Sequence, residues 1–442
     1  MRTSTSALSA VDPPSKLGAS ATREPSDAGS ARSATPAPTR LRSLDGVRGV
    51  AALVVVVYHV SLVAKPFANG GRAEVIWTGV TESPLKLLFA GTEAVLVFFV
   101  LSGLVVALPL LRATTSWAGF FASRLVRLYV PVWAALVFAV ALIALVPRRE
   151  AAVTPGEWID EANASSVTVG SFLREASLTP ASYDIVNTLW SLRWELVFTA
   201  LLPLAVGIAL LVRRSIVALV LTAVVAAAAT IVGRVADIDV LVYLPVFLLG
   251  TLIAVRLDDL VAWARRRARP LTWSMVGSAS ALLLIASWLA RPLAPPRTVV
   301  SEVLWGLAGL GALGLVIVAV CSPAAERVLS TRAPQWAGRV SFSLYLVHVP
   351  IIATIAYLVG DRSWWLVGLV GIPVSLLVAA VFFRLVERPS HRLARRAGRA
   401  VATGTGALRQ RIGVVSDRGR RRGATAPESA DAPRGDRAPT RA

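Results

Sequence analysis

The sequence predicts an all-α integral membrane protein, a bundle of about ten transmembrane helices with both termini cytoplasmic. Three observations carry this expectation. Of 442 residues, 55% are hydrophobic and only 16% charged, whereas a soluble chain carries about a quarter charged. Apolar runs of 16 to 27 residues alternate with short Arg-rich connectors, and about 18 apolar residues suffice to cross a bilayer as a helix. Positive charge is concentrated in every second connector. Together these exclude a soluble enzyme, a secreted disulfide scaffold and a mostly disordered chain.

Residues 1–40 are rich in Ser, Ala, Pro and Thr. They cannot bury a core and are expected to form a disordered cytoplasmic N-terminal tail. No basic segment leading into a short apolar run and cleavage site opens the chain, so no signal peptide is expected. The apolar runs place helices at 47–64, 85–111, 128–146, 189–212, 215–233, 240–255, 272–290, 303–321, 340–359 and 364–386. These make up a transmembrane domain over 41–390. Arg112, Arg124 and Arg127 follow the second helix, Arg213 and Arg214 the fourth, Arg256, Arg265, Arg266, Arg267 and Arg269 the sixth, and Arg327, Arg332 and Arg339 the eighth. The other connectors are poorer in positive charge. The longest, 147–188, sets three Arg against six acidic residues. Basic connectors stay on the cytoplasmic side, which puts both termini there and makes the chain a multi-pass protein of the cell membrane.

Residues 391–442 form a basic, disordered cytoplasmic tail with 13 Arg and four acidic residues, a large part of the net charge of +20. Beside a membrane such a tail suits anionic headgroups, and no nucleic-acid partner is expected. Cys321 is alone, so no intramolecular disulfide or Cys-rich metal site is possible, and no metal is expected. Gly309, Gly311 and Gly314 match a dinucleotide-binding fingerprint, but they lie inside an apolar run with no preceding strand. Small residues on a membrane helix more often allow close packing. The two halves show no obvious internal repeat.

Ionisable residues inside a bilayer are functional candidates by default. Arg48 and His59 are 11 positions apart, which at 100° per residue is three turns plus about 20°, so both lie on one helix face. His59 then sits about 16 Å deeper than Arg48. A neutral imidazole there accepts a proton from a hydroxyl; the alternative is a histidine hydrogen-bonded between helices. Glu195 lies about 9 Å below the outer surface, at a depth comparable with His59. It is expected either to orient His59 or bind an acceptor hydroxyl, or to form an ion pair with another helix. His348 lies about 12 Å in from the cytoplasmic end of the ninth helix, as a second polar group of the same cavity or a packing hydrogen bond. Arg124 and Arg127 share a helix face and suit phosphates, although the positive-inside rule explains them equally well. Ser102-Gly103 is either a close-approach site or small-residue packing. Trp190 and Trp194 are expected in the interfacial aromatic belt, and His391 is assigned no role.

Six stretches, in order from about 41 to 390, resemble acyltransferase family 3, the bacterial multispanning O-acyltransferases. Leu44-Asp45-Gly46-Val47-Arg48-Gly49 followed by Tyr58-His59 is similar to the family's opening. Phe98-Phe99-Val100-Leu101-Ser102-Gly103 resembles its second-helix motif, and Arg124-Leu125-Val126-Arg127 the basic start of its third helix. Leu189-Trp190-Ser191-Leu192 with Glu195, Ser341 to His348, and Glu387-Arg388-Pro389 resemble the remaining landmarks. The residues after Glu195 depart from the family pattern, which leaves acceptor identity open.

The resemblance implies that an acyl-CoA, usually acetyl-CoA, docks from the cytoplasm, and that its acyl group passes to a hydroxyl of an extracytoplasmic or lipid-linked glycan. Arg48 and His59 match the family's essential Arg and His, with His59 as general base or acyl relay and Glu195 beside them. Arg124, Arg127 and Ser102 are the candidates to hold the CoA donor. Asp45, Trp190 and His348 are the candidates to contact substrate. The rival expectation is an ion-coupled transporter that uses the same His, Arg and Glu as a proton relay. The sequence leaves the acyl chain, the acceptor, the oligomeric state and the role of the 147–188 loop open.

Overall fold

A computed structural model describes residues 41–111, 116–267 and 269–404. The expected tail over 1–40, Arg112 and the tail beyond 404 lie outside the described residues. Within them every regular element is helical. The long helices are α1 (Arg42–Ala64), α2 (Gly91–Leu111), α3 (Trp117–Leu145), α4 (Leu189–Val212), α5 (Ile216–Ala236), α6 (Asp239–Ala254), α7 (Pro270–Leu284), α8 (Val299–Cys321, broken at Leu307), α9 (Arg332–Val359) and α10 (Trp364–Phe382).

Each of the ten expected helices has a counterpart among the described residues, but not all ten have the length of a full span. Among the described residues, eight helical stretches are long and apolar enough to cross a membrane. The count rises to nine if α6 and the following helix Leu257–Arg267, bent by 66° from it, make one span. α6 has 16 residues and α7 has 15, short of the roughly 20 a bilayer core needs. Charge ends α6, because Asp258 and Asp259 open the next helix and Arg265, Arg266 and Arg267 close it. α7 stops at Ile285 and a separate turn, Ala286–Leu289, follows. Two helices begin eight residues or more before apolarity alone indicates. The Ser116 hydroxyl accepts from Gly119 N–H and starts α3 well ahead of 128. α9 starts at Arg332 rather than 340. After α10 a π-helical turn, Phe383–Glu387, leads into helix as far as Gly404, so residues 391–404 of the expected tail are helical.

α2 and α9 form the core, with 67% and 78% of their apolar stretches buried, against 22% for α5. α1 and α9 run in parallel and meet backbone to backbone. A Cβ on Gly338 would collide with the Asp45 carbonyl, and one on Gly49 with the Gly338 amide. α2 and α6 meet in the same way, with Gly103 against the Phe247 carbonyl and Gly250 against that of Val100. Gly311 of the fingerprint-like stretch packs on the Ser280 and Leu284 backbone of α7, and Cys321 is buried in α8; both serve packing.

The segment between α3 and α4 folds over the ends of α1 and α9. It contains helices Trp158–Glu161 and Val169–Ala176, the second opened by a reciprocal Thr168–Ser171 cap. Buried Glu175 ties it down by accepting from the Ile185 and Val186 amides at 2.9 and 3.1 Å. This segment is the cap of the bundle.

Candidate active site

At the bundle end opposite the cap, α1, α2, α3, α4 and α9 surround a cleft of about 990 Å³, part of it open to solvent. Its polar lining comes from Arg48, Ser102, Arg124, Arg127, Ser191 and Glu195. The two arginines on α3 are in different states. Arg124 is committed: Nη2 donates to Glu195 Oε1 at 2.6 Å and to Ser102 Oγ at 3.2 Å, and Nε to Thr199 Oγ1 at 2.7 Å. Arg127 is exposed at the rim. Neither it nor Arg48 has a hydrogen bond or ion pair among the described residues, so these two guanidinia are the ones open to an anion.

Glu195 is therefore placed with Arg124 and Ser102, not with His59. Equal depth on two helices does not make two residues neighbours. A partly buried carboxylate takes a guanidinium in preference to an imidazole, since the permanent charge offsets more of its desolvation. Ser102 lies in the cleft, while Gly103 packs against the Phe247 carbonyl, the small-residue packing expected for that pair.

The cleft ends at Tyr345, whose hydroxyl lies 2.6 Å from Ser191 Oγ. Tyr345 is also 6.1 Å, ring to ring, from His348. His348 is fully buried and meets His59 across the α1–α9 interface, with Nε2 at 3.1 Å from His59 Nδ1. Each imidazole also has Nδ1 against a carbonyl of its own helix, Val55 O at 2.9 Å for His59 and Leu344 O at 2.8 Å for His348. A carbonyl only accepts, so both Nδ1 atoms carry hydrogen in the neutral pair. His348 Nε2 then accepts from His59, and His59 Nε2 keeps its lone pair. From the cap, Trp158 covers His59 at 5.2 Å. His59, 8% exposed, thus lies beyond the cleft and beneath the cap.

Other expected site residues lie elsewhere. Asp45 sits in the first turn of α1 at the Gly338 crossing and is not part of the cleft lining. Trp190 and Trp194 both pack on Tyr243 of α6, at 5.4 and 5.3 Å, and Trp194 is buried in the bundle rather than set in an interfacial belt. His348 contacts His59 rather than the cleft.

Glu387 was passed over as a site residue. The π-helical turn aims its carboxylate at α9, where it accepts from Ser343 N and Oγ at 3.1 and 2.5 Å. It also feels the charges of Arg127 and Arg48. His391, assigned nothing, lies 3.7 Å from it. The signal in the sequence was the Glu-Arg-Pro landmark itself; a π-turn leaves no mark in apolar periodicity.

A family model described as an acyltransferase domain matches residues 41–384. No curated protein and no solved structure matches the chain.

Proposed function

The chain belongs to acyltransferase family 3 and is a membrane acyltransferase; from that premise we propose that it moves an acyl group, acetyl in the usual case, from cytoplasmic acyl-CoA to a hydroxyl of an extracytoplasmic or lipid-linked glycan. The observation that carries this reading is the place of His59. It lies between a cleft presenting two uncommitted guanidinia and a cap on the far side. The basic connectors make the cleft the cytoplasmic end.

Arg48 and Arg127 take the donor's phosphates, and Arg124, held by Glu195, shapes the wall between them. The acyl-thioester arm passes Tyr345 toward the histidine pair. An acceptor hydroxyl oxygen attacks the thioester carbonyl carbon while its proton passes to His59 Nε2. The carbon–sulfur bond breaks, and the CoA thiolate leaves with that proton. The products are an ester and free CoA. The Val55 carbonyl keeps the ring in the reactive tautomer, and His348 Nε2, which shares the same Nδ1–H, helps stabilise the imidazolium.

Sealed inside-out vesicles bearing the protein test the sidedness. With labelled, impermeant acetyl-CoA outside and a hydroxyl-rich glycan inside, label accumulates on the lumenal glycan. Label found only on the donor side contradicts the reading.

A further inference from the structure

The helix that follows the π-turn, residues 388–404, lies past residue 384, where the acyltransferase family match ends. It runs antiparallel to the start of α3. Two glycines meet where they cross. A Cβ on Gly119 would lie 2.5 Å from the Gly398 carbonyl oxygen, and one on Gly398 2.7 Å from that of Gly119. Further along, α3 packs on the π-turn itself. Arg127 is eight residues past Gly119 and His391 seven before Gly398. These are rises of about 12 and 10 Å, so the two residues come level.

Glu387, His391 and Arg395 follow one another at four-residue spacing, which sets them on one face of this helix, together with Gly398. The Gly398 contact turns that face to α3. His391 Nε2 is buried and has no hydrogen-bond partner among the described residues. Glu387 Oε1 is 3.7 Å from it, and the other oxygen of that carboxylate is taken by Ser343. The charges of Arg127, Arg395 and Arg48 all bear on His391. Arg395 is exposed and has no hydrogen bond or ion pair among the described residues. Three guanidinia thus gather where the carboxylate at hand is already engaged. An anion entering among them relieves their mutual repulsion.

We infer that Arg395, with His391 beside it, binds the phosphate monoester on the ribose of CoA and so makes the donor site selective for CoA over dephospho-CoA, which lacks that group. This deepens the acyltransferase reading and rests on it. The order of groups fits. In CoA the thioester arm leads to a diphosphate, and the diphosphate to the ribose with its phosphate. In the protein the cleft leads from Tyr345 to Arg48 and Arg127, and from there to Arg395 on the helix outside it. A phosphate monoester carries a charge of about −1.5 to −2 at neutral pH, and a guanidinium meets it with paired N–H donors. Arg395 lies beyond the matched domain, so this contact belongs to the chain's own C-terminal helix. An anionic lipid headgroup offers the same phosphate chemistry, and the test separates the two.

Full-length protein in lipid discs of phosphatidylcholine is titrated calorimetrically with CoA and with dephospho-CoA. Wild type binds CoA the more tightly by about tenfold, the worth of one charge-assisted phosphate contact. Arg395→Ala binds both alike, with dephospho-CoA at its wild-type affinity. Arg396→Ala alters a position about 140° round the helix from His391 and keeps the preference. Equal binding of the two nucleotides by wild type, an unchanged preference in Arg395→Ala, or its loss in Arg396→Ala as well, overturns the inference and leaves the donor reading standing. Binding of neither nucleotide to wild type overturns both. The titrations are repeated in discs containing phosphatidylglycerol. A preference that persists there supports the nucleotide site; one that disappears makes Arg395 a headgroup contact and overturns the inference.

Discussion

His348 Nε2 lies 3.1 Å from His59 Nδ1 and joins α9 to α1 at the centre of the fold. The contact depends on glycine-mediated packing ten residues earlier on α9, where Gly338 lets the two backbones touch. The carbonyls of Val55 and Leu344 then decide which nitrogen of each ring carries hydrogen. One consequence is that His59 presents a lone pair at Nε2 without help from any carboxylate.

His348 is a positioning residue on this account. His348→Phe keeps the packing volume but removes one of the two acceptors of His59 Nδ1–H and leaves Val55 O as the other. It should lower kcat about 10²-fold and shift the pH profile of kcat, with the donor KM unchanged. An unaltered pH profile would reduce His348 to packing.

Arg124 and Arg127 should separate. Arg127→Ala weakens donor binding by about tenfold, the worth of one charge-assisted phosphate contact, with stability unchanged. Arg124→Ala leaves the Glu195 carboxylate without its guanidinium and destabilises the fold by about 1–3 kcal/mol. Adding Glu195→Gln to Arg124→Ala recovers part of that loss. Calorimetric titration with CoA and thermal unfolding of the three variants distinguish these roles, and equal effects of the two arginine variants on CoA binding would contradict the division.

Much of this was legible in the sequence, and the failures have physical causes. Arg48, His59 and the α3 arginines were found because charge stands out in an apolar run. Glu195 takes the second of its two expected roles, an ion pair with another helix, and the sequence left the choice open since depth along a helix fixes height and not azimuth relative to another helix. Trp194 was misplaced because an aromatic near a helix end looks the same whether it faces lipid or Tyr243. The cap, with its short helices, carries no strong period and was seen only as an acidic loop. Glu387 depends on a π-turn, which the 3.6-residue pattern does not reveal.

Lys86 gives a pH test away from the site. It is 1% exposed, with Nζ 3.6 Å over the Trp288 ring, and Trp288 Nε1 donates to buried Glu93 at 2.8 Å. Burial pushes the Lys86 ammonium down to about 8, with the Glu93 charge opposing. In the unfolded chain its value is about 10.4, so the unfolded state holds this proton more tightly. Stability contributed through Lys86 is therefore lowest below pH 8 and rises as pH climbs from about 8 to 10. Lys86→Met should remove that rise from the thermal unfolding profile; a profile of unchanged slope would contradict it.

Glu175 anchors the cap. Glu175→Gln leaves one of the Ile185 and Val186 amides without an acceptor, at a cost of about 1–3 kcal/mol. Hydrogen exchange across 147–188 should quicken while exchange in α2 and α9 stays slow. Uniform quickening would mean that the cap and the bundle unfold as one.

The most direct test of the central claim is consumption of radiolabelled acetyl-CoA by purified protein, wild type against His59→Ala. The account predicts that wild type transfers or hydrolyses the acetyl group while His59→Ala, folded and still binding CoA, does neither. Equal consumption by the two proteins would contradict the assignment of His59 as the base.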